Sequence, residues 1–543
     1  MNTRISTSKL LLVFLVIYGE LLLSHNNVKA SYLEARLAHR RGPLKKRGNQ
    51  ICSNSGVTCS GSNPCCSQFG WCGAGDGYCG TGCNPSATPS NLKKCLTGTT
   101  GKAVFPGDAE YAADIVDENN RVTYSPAALV YASDIADVQK AVKCAATSKL
   151  NVAPRSGGHS YESYSLGGKD GALVIDLGGL NQITIDDAAK TARIGAGSKL
   201  GPIYYTLSQS GYMIPGGSCP GVGISGFALG GGYGLYSRKF GLAVDNILSI
   251  DIVNADGDLI TASSTKNSDL FFALRGAGGG SYGVVTSFKF KITPVQTQVT
   301  SFQYKWPVGA AKTLIPAIEK YATQGTDDVT LSLVWDNSGL LIQGVYLGQQ
   351  SGLSNALSDI LAVSGYNQVS VQQQTFFDSV VFFSGQSASF VQNPTITPYI
   401  FKAKSLYVDS SGLSAAGIDA LNNYLASPPC HTYAILDLYG GAINRVAPNA
   451  MAFVHRDPLY GIQLMSDWQD ASQKTKCVNN INSFGDSFQS RYTSPYSYQN
   501  YIDRDLNNWQ NAYYGANYRK LVTTKAKYDK NNLFAFPQSI PTS

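Results

Sequence analysis

Three glycine-rich segments of this 543-residue sequence have a composition suited to binding a nucleotide: Arg155–Tyr161, Gly216–Gly234 and Gly276–Gly280. Because glycine lets backbone amides approach a phosphate closely, loops of this kind can hold the pyrophosphate of a dinucleotide. The sequence has no Walker lysine pattern, and no Gly-x-Gly-x-x-Gly fingerprint stands in a convincing strand-to-helix context. Glycine content alone is therefore a weak signal for a dinucleotide site.

The elements that would position these loops predict an α+β protein. From about Val122 onward, short β-rich runs such as Leu173–Leu177 and Ile247–Val253 alternate with helical stretches. The length favours about three folding units. Hydrophobic residues make up 43% of the chain and charged residues 15%, a balance typical of a soluble protein with a packed core.

The N-terminus predicts export from the cell. Cationic residues precede an apolar run at Leu10–Leu23, and small residues follow at Val28–Ala30, so residues 1–30 are interpreted as a signal peptide. The alternative is a membrane anchor, but the run is short and is interrupted at Gly19–Glu20. No later segment is apolar enough to span a bilayer, and we expect a secreted protein, extracellular or associated with a cell wall.

A basic stretch at residues 31–47 ends in Leu44–Arg47, which indicates a dibasic processing site with a mature start at Gly48. The alternative is an uncleaved basic tail. The residues after position 47 contain 34 Lys and Arg against 34 Asp and Glu. The sequence therefore gives no reason to expect a nucleic-acid or membrane partner.

Seven of the twelve cysteines fall within about thirty residues, a density that predicts a disulfide framework in a secreted chain. They are Cys52, Cys59, Cys65, Cys66, Cys72, Cys79 and Cys83. A unit of this size cannot bury enough apolar area to fold without crosslinks. A zinc cluster is the alternative, which export and the adjacent Cys65–Cys66 pair disfavour.

The strings Cys65–Cys72 and Tyr78–Gly80 resemble the hevein-type chitin-binding domain, which would occupy residues 48–84. The resemblance implies disulfides Cys52–Cys66, Cys59–Cys72 and Cys65–Cys79. It also implies that Ser67 binds an N-acetyl group and that Phe69, Trp71 and Tyr78 stack on sugar rings, a role that fits aromatic residues on a domain with almost no core. A disulfide-bonded spacer is the alternative.

The end of this module departs from the family. The family's eighth cysteine is absent, which leaves Cys83 either unpaired or paired with Cys95. Residues 85–94 are predicted to form a linker rich in Pro and Ser.

Well-separated motifs in the rest of the chain resemble the berberine-bridge-enzyme-like branch of the vanillyl-alcohol-oxidase flavoproteins, and within it the fungal oligosaccharide oxidases. The motifs are Arg155–Tyr161, Gly217–Gly223, Tyr498–Leu506, Tyr513–Leu521 and Pro537–Pro541. The resemblance covers about residues 95–541. It implies an α+β fold with a two-part FAD-binding domain at 95–294, a substrate domain built on an antiparallel sheet at 295–495, and a segment at 496–543 that returns to the FAD domain.

The resemblance implies FAD bonded through His159 to the flavin 8α carbon and through Cys219 to C6. The other residues implied in cofactor binding are Arg155, Ser156, Gly157, Gly158, Ser160, Tyr161, Ser218, Val222, Gly223, Gly226 and Val285. The alternatives to these covalent bonds are that His159 is a loop histidine without a bond to the flavin and that Cys219 is a buried thiol. The family also implies a disulfide between Cys95 and Cys144. If Cys430 pairs with Cys477 as well, Cys219 is left without a partner. No metal site is expected.

The same resemblance makes Tyr501 the base that takes a sugar hydroxyl proton, with Tyr498 lining the site and Asp437 as the partner of Tyr501. An ionised Asp437 would raise the pKa of Tyr501 from its usual value of about 10, so its expected role is to accept the proton. Tyr161 contributes near the flavin. Phe227 stands where the family commonly has a histidine, so an apolar ring replaces a hydrogen-bonding imidazole near the flavin.

We therefore expect a secreted oxidase that converts the reducing-end C1 of an oligosaccharide to a lactone and reduces oxygen to hydrogen peroxide. Val222, at the family's oxygen-gating position, favours oxygen as the acceptor. The chitin-binding module favours chito-oligosaccharides as substrate and chitin as a partner. The alternatives are a dehydrogenase acting on cello- or other oligosaccharides, and a chitin-binding lectin with an inactive flavoprotein body.

Overall fold

The computed structural model describes residues 65–66, 72–73 and 89–543. The chain divides into two compact units, 1–89 and 90–543. The strands, in chain order, are β1 Cys65–Cys66, β2 Cys72–Gly73, β3 Ala103–Val104, β4 Ala128–Tyr131, β5 Val152–Arg155, β6 Leu173–Asp176, β7 Ile183–Asp186, β8 Thr191–Gly195, β9 Tyr212–Met213, β10 Ile247–Val253, β11 Leu259–Ser263, β12 Val284–Lys291, β13 Thr293–Pro294, β14 Val299–Trp306, β15 Val329–Asp336, β16 Gly339–Tyr346, β17 Asn367–Gln374, β18 Phe401–Val408, β19 His431–Leu438 and β20 Tyr460–Asp467.

The α-helices are numbered in the same way. They are α1 Pro89–Leu96, α2 Tyr111–Asp114, α3 Ile135–Ser148, α4 Leu200–Gln209, α5 Ile224–Leu229, α6 Ser237–Phe240, α7 Ser268–Ala273, α8 Ala311–Gln324, α9 Leu353–Ala356, α10 Ser358–Leu361, α11 Phe376–Ser384, α12 Ala388–Gln392, α13 Ala415–Ala426, α14 Lys474–Tyr492, α15 Trp509–Tyr514 and α16 Tyr518–Tyr528. Short 3-10 helices include Tyr164–Leu166 and Gln499–Tyr501. In residues 89–543 no helix is both long and apolar enough to cross a membrane.

In the first unit, β1 and β2 pair antiparallel, with Cys66 opposite Cys72. The predicted leader, the basic stretch and the proposed sugar-binding residues Ser67, Phe69, Trp71 and Tyr78 lie outside the described residues. The same is true of Cys52, Cys59, Cys79 and Cys83.

The second unit begins with a four-stranded sheet in the order β3-β4-β6-β5, in which β4, β6 and β5 are parallel. Helix α3 connects β4 to β5. Its apolar residues recur at helical spacing and are buried, Val138 and Val142 among them, and its N-terminus is capped by the carboxylate of Asp134, which accepts from the amide of Asp137. This parallel unit delivers the loop after β5, where residues 155–161 lie.

A second, antiparallel sheet has the order β11-β10-β12-β8-β7, and a two-stranded ribbon joins β9 to β13. A large core packs against both of the first two sheets. Two disulfides, Cys95–Cys144 and Cys430–Cys477, occur at the pairs expected for this part of the chain. The pairing of Cys95 with Cys144 excludes the alternative in which Cys95 bonds to Cys83.

Helix α1 begins within the segment 85–94 predicted as a linker. The reason is packing, since Leu92 and Leu96 are buried one helical turn apart and Cys95 is tied by its disulfide to α3. A segment with few turn residues and a buried apolar stripe forms a helix even next to a Pro/Ser-containing stretch.

The third sheet has seven antiparallel strands in the order β17-β14-β16-β15-β19-β20-β18. Helices α8, α13 and α14 cover one face of it, where a second core includes Leu436 and Leu438 of β19. Because side chains alternate along a strand, Asp437 lies on the opposite face, together with Gln463 of β20. Residues 90–543 form a single compact unit, so the domain boundaries inside it stay predictions.

Candidate active site

Two of the glycine-rich loops pack directly against each other. A Cβ atom on Gly157 would lie 2.3 Å from the backbone nitrogen of Gly223, and a Cβ on Gly223 would lie 2.3 Å from that of Gly157. Side chains at either position would therefore push the loops apart. This close approach brings His159 of one loop and Cys219 of the other into the same region.

Several of the predicted cofactor residues hold this loop pair in shape. The Arg155 guanidinium donates to Asp176 at 2.7 Å, and Ser156 Oγ donates to the carbonyl of Ala196 at 2.7 Å. Ser160 Oγ accepts from the amide of Tyr164 at 3.0 Å. These side chains are committed to protein partners, so their contribution to a cofactor site is to fix the backbone.

The other predicted cofactor positions differ in exposure. Val285 is buried within β12, in the core. Gly226, by contrast, has open space where a Cβ would stand, and Ser218 is exposed. Val222 is half-buried and its amide donates to the carbonyl of Cys219 at 3.3 Å. The structure therefore leaves Ser218 and Cys219 accessible, whereas Val285 lies in the core.

His159 is a neutral imidazole. Burial and, to a smaller extent, the positive charge of Lys199 lower its pKa to about 4. Its buried Nε2 atom has no hydrogen-bond partner, and Oε2 of Glu118 lies 3.9 Å away. A neutral imidazole has a lone pair available for bond formation, as a covalent link to a flavin requires.

Cys219 is the one cysteine with a free thiol in the part of the chain whose side chains are described. Its side chain reaches solvent, but protein encloses it closely enough to raise its pKa to about 11, with the negative charge of Glu118 adding to the effect. The thiol is accessible, and at neutral pH it is protonated. No cluster of His, Cys, Asp or Glu suited to a metal ion occurs among the described residues.

These features fit a bound dinucleotide flavin. A neutral imidazole at His159, an accessible thiol at Cys219 and glycines that bring two backbones together form a suitable donor set on adjoining loops. His159 and Cys219 are the residues that would bond the flavin ring, and the loop backbones would hold its pyrophosphate.

The predicted base and its partner are in contact. Tyr501 Oη donates a hydrogen bond to Oδ2 of Asp437 at 2.9 Å. Burial raises the pKa of Asp437 to about 7, although the hydrogen bond from Tyr501 opposes this. Burial and the charge of Asp437 together raise the pKa of Tyr501 well above its usual value. Tyr501 is thus a phenol that already donates its proton towards a carboxyl group able to accept it.

Two further tyrosines surround Tyr501. The ring of Tyr161 stacks on it at a centroid distance of 5.6 Å and an interplanar angle of 9°, and Tyr498 meets it edge-on at 5.0 Å. The hydroxyl of Tyr161 accepts a hydrogen bond from the amide of Gln463. The Tyr161 loop, the sheet and the C-terminal segment therefore converge on the Tyr501 phenol.

The oxygen of the Tyr498 hydroxyl accepts hydrogen bonds from the protein itself. It accepts from the backbone amides of Gly232 at 2.8 Å and Tyr233 at 3.3 Å, and from the side-chain amide of Asn500 at 2.8 Å. A phenol oxygen has two lone pairs, so no acceptor capacity is left for a substrate. Tyr498 lines the site with its ring, and its oxygen holds the neighbouring backbone.

A buried ion network anchors the segment that carries Tyr501. Lys402, which is fully buried in the edge strand β18, contacts Glu162 at 3.1 Å, Asp505 at 2.9 Å, and Asp503. Arg504 also pairs with Glu162, at 2.8 Å. The network joins the loop after His159, the sheet and the C-terminal segment, so it fixes the three parts of the site relative to one another.

Sequence reasoning missed Glu118, Gln463 and Lys402. None belongs to a recognisable motif, and each meets its partner across a long stretch of sequence. Alternation along β20 could have placed Gln463 on the face of Asp437, but only once the sheet register was known.

Comparison with known proteins gives a consistent result. Residues 126–263 match the FAD binding domain family, and residues 497–541 match the berberine and berberine-like family. The chain is 30% identical to a chitooligosaccharide oxidase of Gibberella zeae and 31% identical to a xylooligosaccharide oxidase of Thermothelomyces thermophilus. Each alignment covers 84% of this chain, and 96% and 95% of the two relatives, respectively.

Solved structures are similar over the same region. BBE-like 1 from Physcomitrella patens matches with a TM-score of 0.80 at 40% identity, covering 83% of this chain and 99% of that one. A glucooligosaccharide oxidase from Acremonium strictum, which carries a 6-S-cysteinyl, 8α-N1-histidyl FAD, matches with a TM-score of 0.78 at 26% identity, covering 83% and 99% of the two chains.

Proposed function

Because this chain belongs to the berberine-bridge-enzyme-like family of FAD-linked oxidoreductases, we propose that it is an oligosaccharide oxidase that acts on the reducing-end C1 hydroxyl. The observation that carries the proposal is the Tyr501–Asp437 hydrogen bond, which provides a proton acceptor at the end of a stacked tyrosine pair. Oligosaccharides are the substrates named for the fungal relatives at 30% and 31% identity.

Oxidation of a hemiacetal removes the proton of the C1 hydroxyl group and a hydride from C1 itself. FAD supplies the hydride acceptor when bound. Tyr501 takes the hydroxyl proton while its own proton moves to Asp437 over the existing hydrogen bond. Since the pKa of Asp437 is about 7, the carboxylate form that can accept this proton predominates at higher pH.

We further propose that FAD is attached to both His159 and Cys219. The support is the pairing of a neutral imidazole with an accessible thiol on loops that touch. The glucooligosaccharide oxidase with TM-score 0.78 carries bonds of these two types. Two attachments leave the ring fixed without a closing lid, which suits a site open to long sugars.

The substrate is proposed to be a chito-oligosaccharide, and the protein is proposed to be secreted and to bind chitin. Support for both comes from the sequence, in which a leader-like segment precedes the hevein-like cysteine pattern with Ser67, Phe69, Trp71 and Tyr78. The xylooligosaccharide oxidase at 31% identity makes other oligosaccharides the second candidate class.

The test is peroxide release in air from purified protein with chito-, xylo-, cello- and malto-oligosaccharides, combined with a check for yellow colour in acid-precipitated protein. Peroxide and retained colour are the expected results. Retained colour with dye reduction but no peroxide would indicate a dehydrogenase. Colourless protein that still binds chitin would indicate a lectin and overturn the proposal.

A further inference from the structure

Glu118 is a buried carboxyl group with no role in the sugar chemistry described above. Its side chain is only 17% exposed, and its Oε2 atom lies 3.9 Å from Nε2 of His159. Nothing else offers that nitrogen a partner within the described residues. The two groups therefore form a largely buried pair at the loop proposed to hold the flavin.

The backbone holds Glu118 firmly in this position. Its amide donates to the carbonyl of Gly158 at 2.9 Å, one residue before His159, and its carbonyl accepts from the amide of Tyr399 at 3.0 Å. The carboxylate also accepts from the amide of Thr397 at 3.2 Å. Glu118 is thus fixed to the His159 loop on one side and to residues 397–399 on the other.

We propose that Glu118 is the proton acceptor that activates His159 for covalent attachment of the flavin. A carboxylate beside Nε2 favours the tautomer with the proton on Nε2, which leaves the lone pair on Nδ1. Nδ1 is then the ring atom that bonds to the flavin. The proposal rests on the covalent link to His159 proposed above.

The separation of 3.9 Å is longer than a hydrogen bond. Hydrogen bonds used in proton transfer are often long before the reacting partner is in place and shorten when it binds. Burial raises the pKa of Glu118 to about 7, the amide of Thr397 lowers it, Asp117 raises it and Lys199 lowers it. Glu118 is therefore a base of useful strength near neutral pH.

The bond-forming step balances as follows. A bond forms between Nδ1 of His159 and the 8α carbon, while one C–H bond of the 8α methyl group and the Nε2–H bond break. Glu118 receives the Nε2 proton and solvent receives the other. Two electrons pass to the flavin ring and from there to dioxygen, which with two protons becomes hydrogen peroxide.

The test uses the Cys219→Ala protein, in which His159 is the one remaining attachment point. Apoprotein from riboflavin-depleted cells is mixed with FAD in air, and acid-stable flavin on the His159 peptide is followed by mass spectrometry. Glu118→Gln in this background should slow attachment by about 100-fold or more, the scale of general-base catalysis. Glu118→Asp, which keeps the carboxylate, should recover part of the rate.

Two measurements separate this role from a structural one. Non-covalent FAD affinity, read from quenching of flavin fluorescence, should be unchanged by Glu118→Gln. Glu110→Gln, which alters an exposed carboxyl group that pairs with Lys102, should leave the attachment rate unchanged. Equal attachment rates with and without Glu118→Gln would overturn the role of Glu118, whereas no acid-stable flavin in the Cys219→Ala protein itself would overturn the proposed link to His159.

Discussion

Tyr501 of the C-terminal segment donates its phenolic proton to Asp437 of strand β19, 64 residues earlier in the chain, over 2.9 Å. The carboxyl group lies on the sheet face opposite the helices, where burial raises its pKa to about 7. A phenol in this contact cannot be a preformed phenolate, because the negative charge of Asp437 raises its pKa. In the function proposed above, the pair works as a proton relay whose activity depends on the ionisation of Asp437.

The first prediction concerns the pH profile. Asp437 accepts a proton only when ionised, so kcat/KM should rise with pH through about 7. Asp437→Asn should remove this limb and lower kcat/KM by about 100-fold or more, since amides do not accept protons in this range. The profile is measured by peroxide release or dye reduction between about pH 5 and 9, a range of about two units on either side of the carboxyl pKa.

Asp467→Asn is the matched control, because Asp467 lies on the neighbouring strand β20 and pairs with the exposed His431. It should leave the profile unchanged. An acid limb that persists in Asp437→Asn would assign the titration to another group.

The second prediction separates Tyr498 from Tyr501. Tyr501→Phe removes the oxygen that receives the substrate proton and should lower kcat/KM by about 100-fold or more. Tyr498→Phe removes the acceptor of two buried backbone amides and should lower the free energy of unfolding by about 1–3 kcal/mol. Urea unfolding and steady-state kinetics on both variants test this. A stable Tyr498→Phe protein with the kinetic loss expected of Tyr501→Phe would contradict it.

The third prediction concerns the buried ion network. Lys402→Met removes a buried cation that contacts both Glu162 and Asp503, and the buried negative charge left unbalanced should lower the free energy of unfolding by about 3–5 kcal/mol. Lys312→Met is the control, since Lys312 makes an exposed pair with Asp419 that contributes little. Denaturant unfolding monitored by tryptophan fluorescence measures both. If the two variants were equally stable, the network would have no anchoring role.

The sequence predicts the family and the cofactor domain where these depend on short contiguous motifs. The loop around His159, the Gly217–Gly223 turn and the Tyr498–Leu506 motif each stand in one short stretch, and the family and the FAD-binding domain followed from them. Helix α1 was missed because Pro and Ser near residue 89 suggested a linker, whereas burial of Leu92 and Leu96 decides the structure.

Contacts between distant segments could not be predicted in the same way. Lys402 stands in the strand sequence Phe401–Val408, where a lysine would be expected to be exposed, yet it is fully buried. Its partners lie 240 and 101 residues away. Glu118 likewise lies outside every motif. Its position beside His159 depends on hydrogen bonds to Gly158, Thr397 and Tyr399, which are distant in sequence.

The last prediction concerns the contact between the two glycine-rich loops. The backbone at Gly157 is not in the left-handed region, so glycine is needed there for space: a Cβ would lie 2.3 Å from the backbone nitrogen of Gly223 and 2.8 Å from the carbonyl oxygen of Gly221. Backbone atoms cannot yield as a flexible side chain can, and Gly157→Ala should therefore cost about 1–3 kcal/mol of unfolding free energy. Because the same shift moves His159 away from Cys219, it should also reduce acid-stable flavin. Gly309→Ala, with open space at its Cβ, should change neither quantity. Wild-type stability and wild-type flavin retention in Gly157→Ala would mean that the loops can separate freely, and the site could then not depend on their close packing.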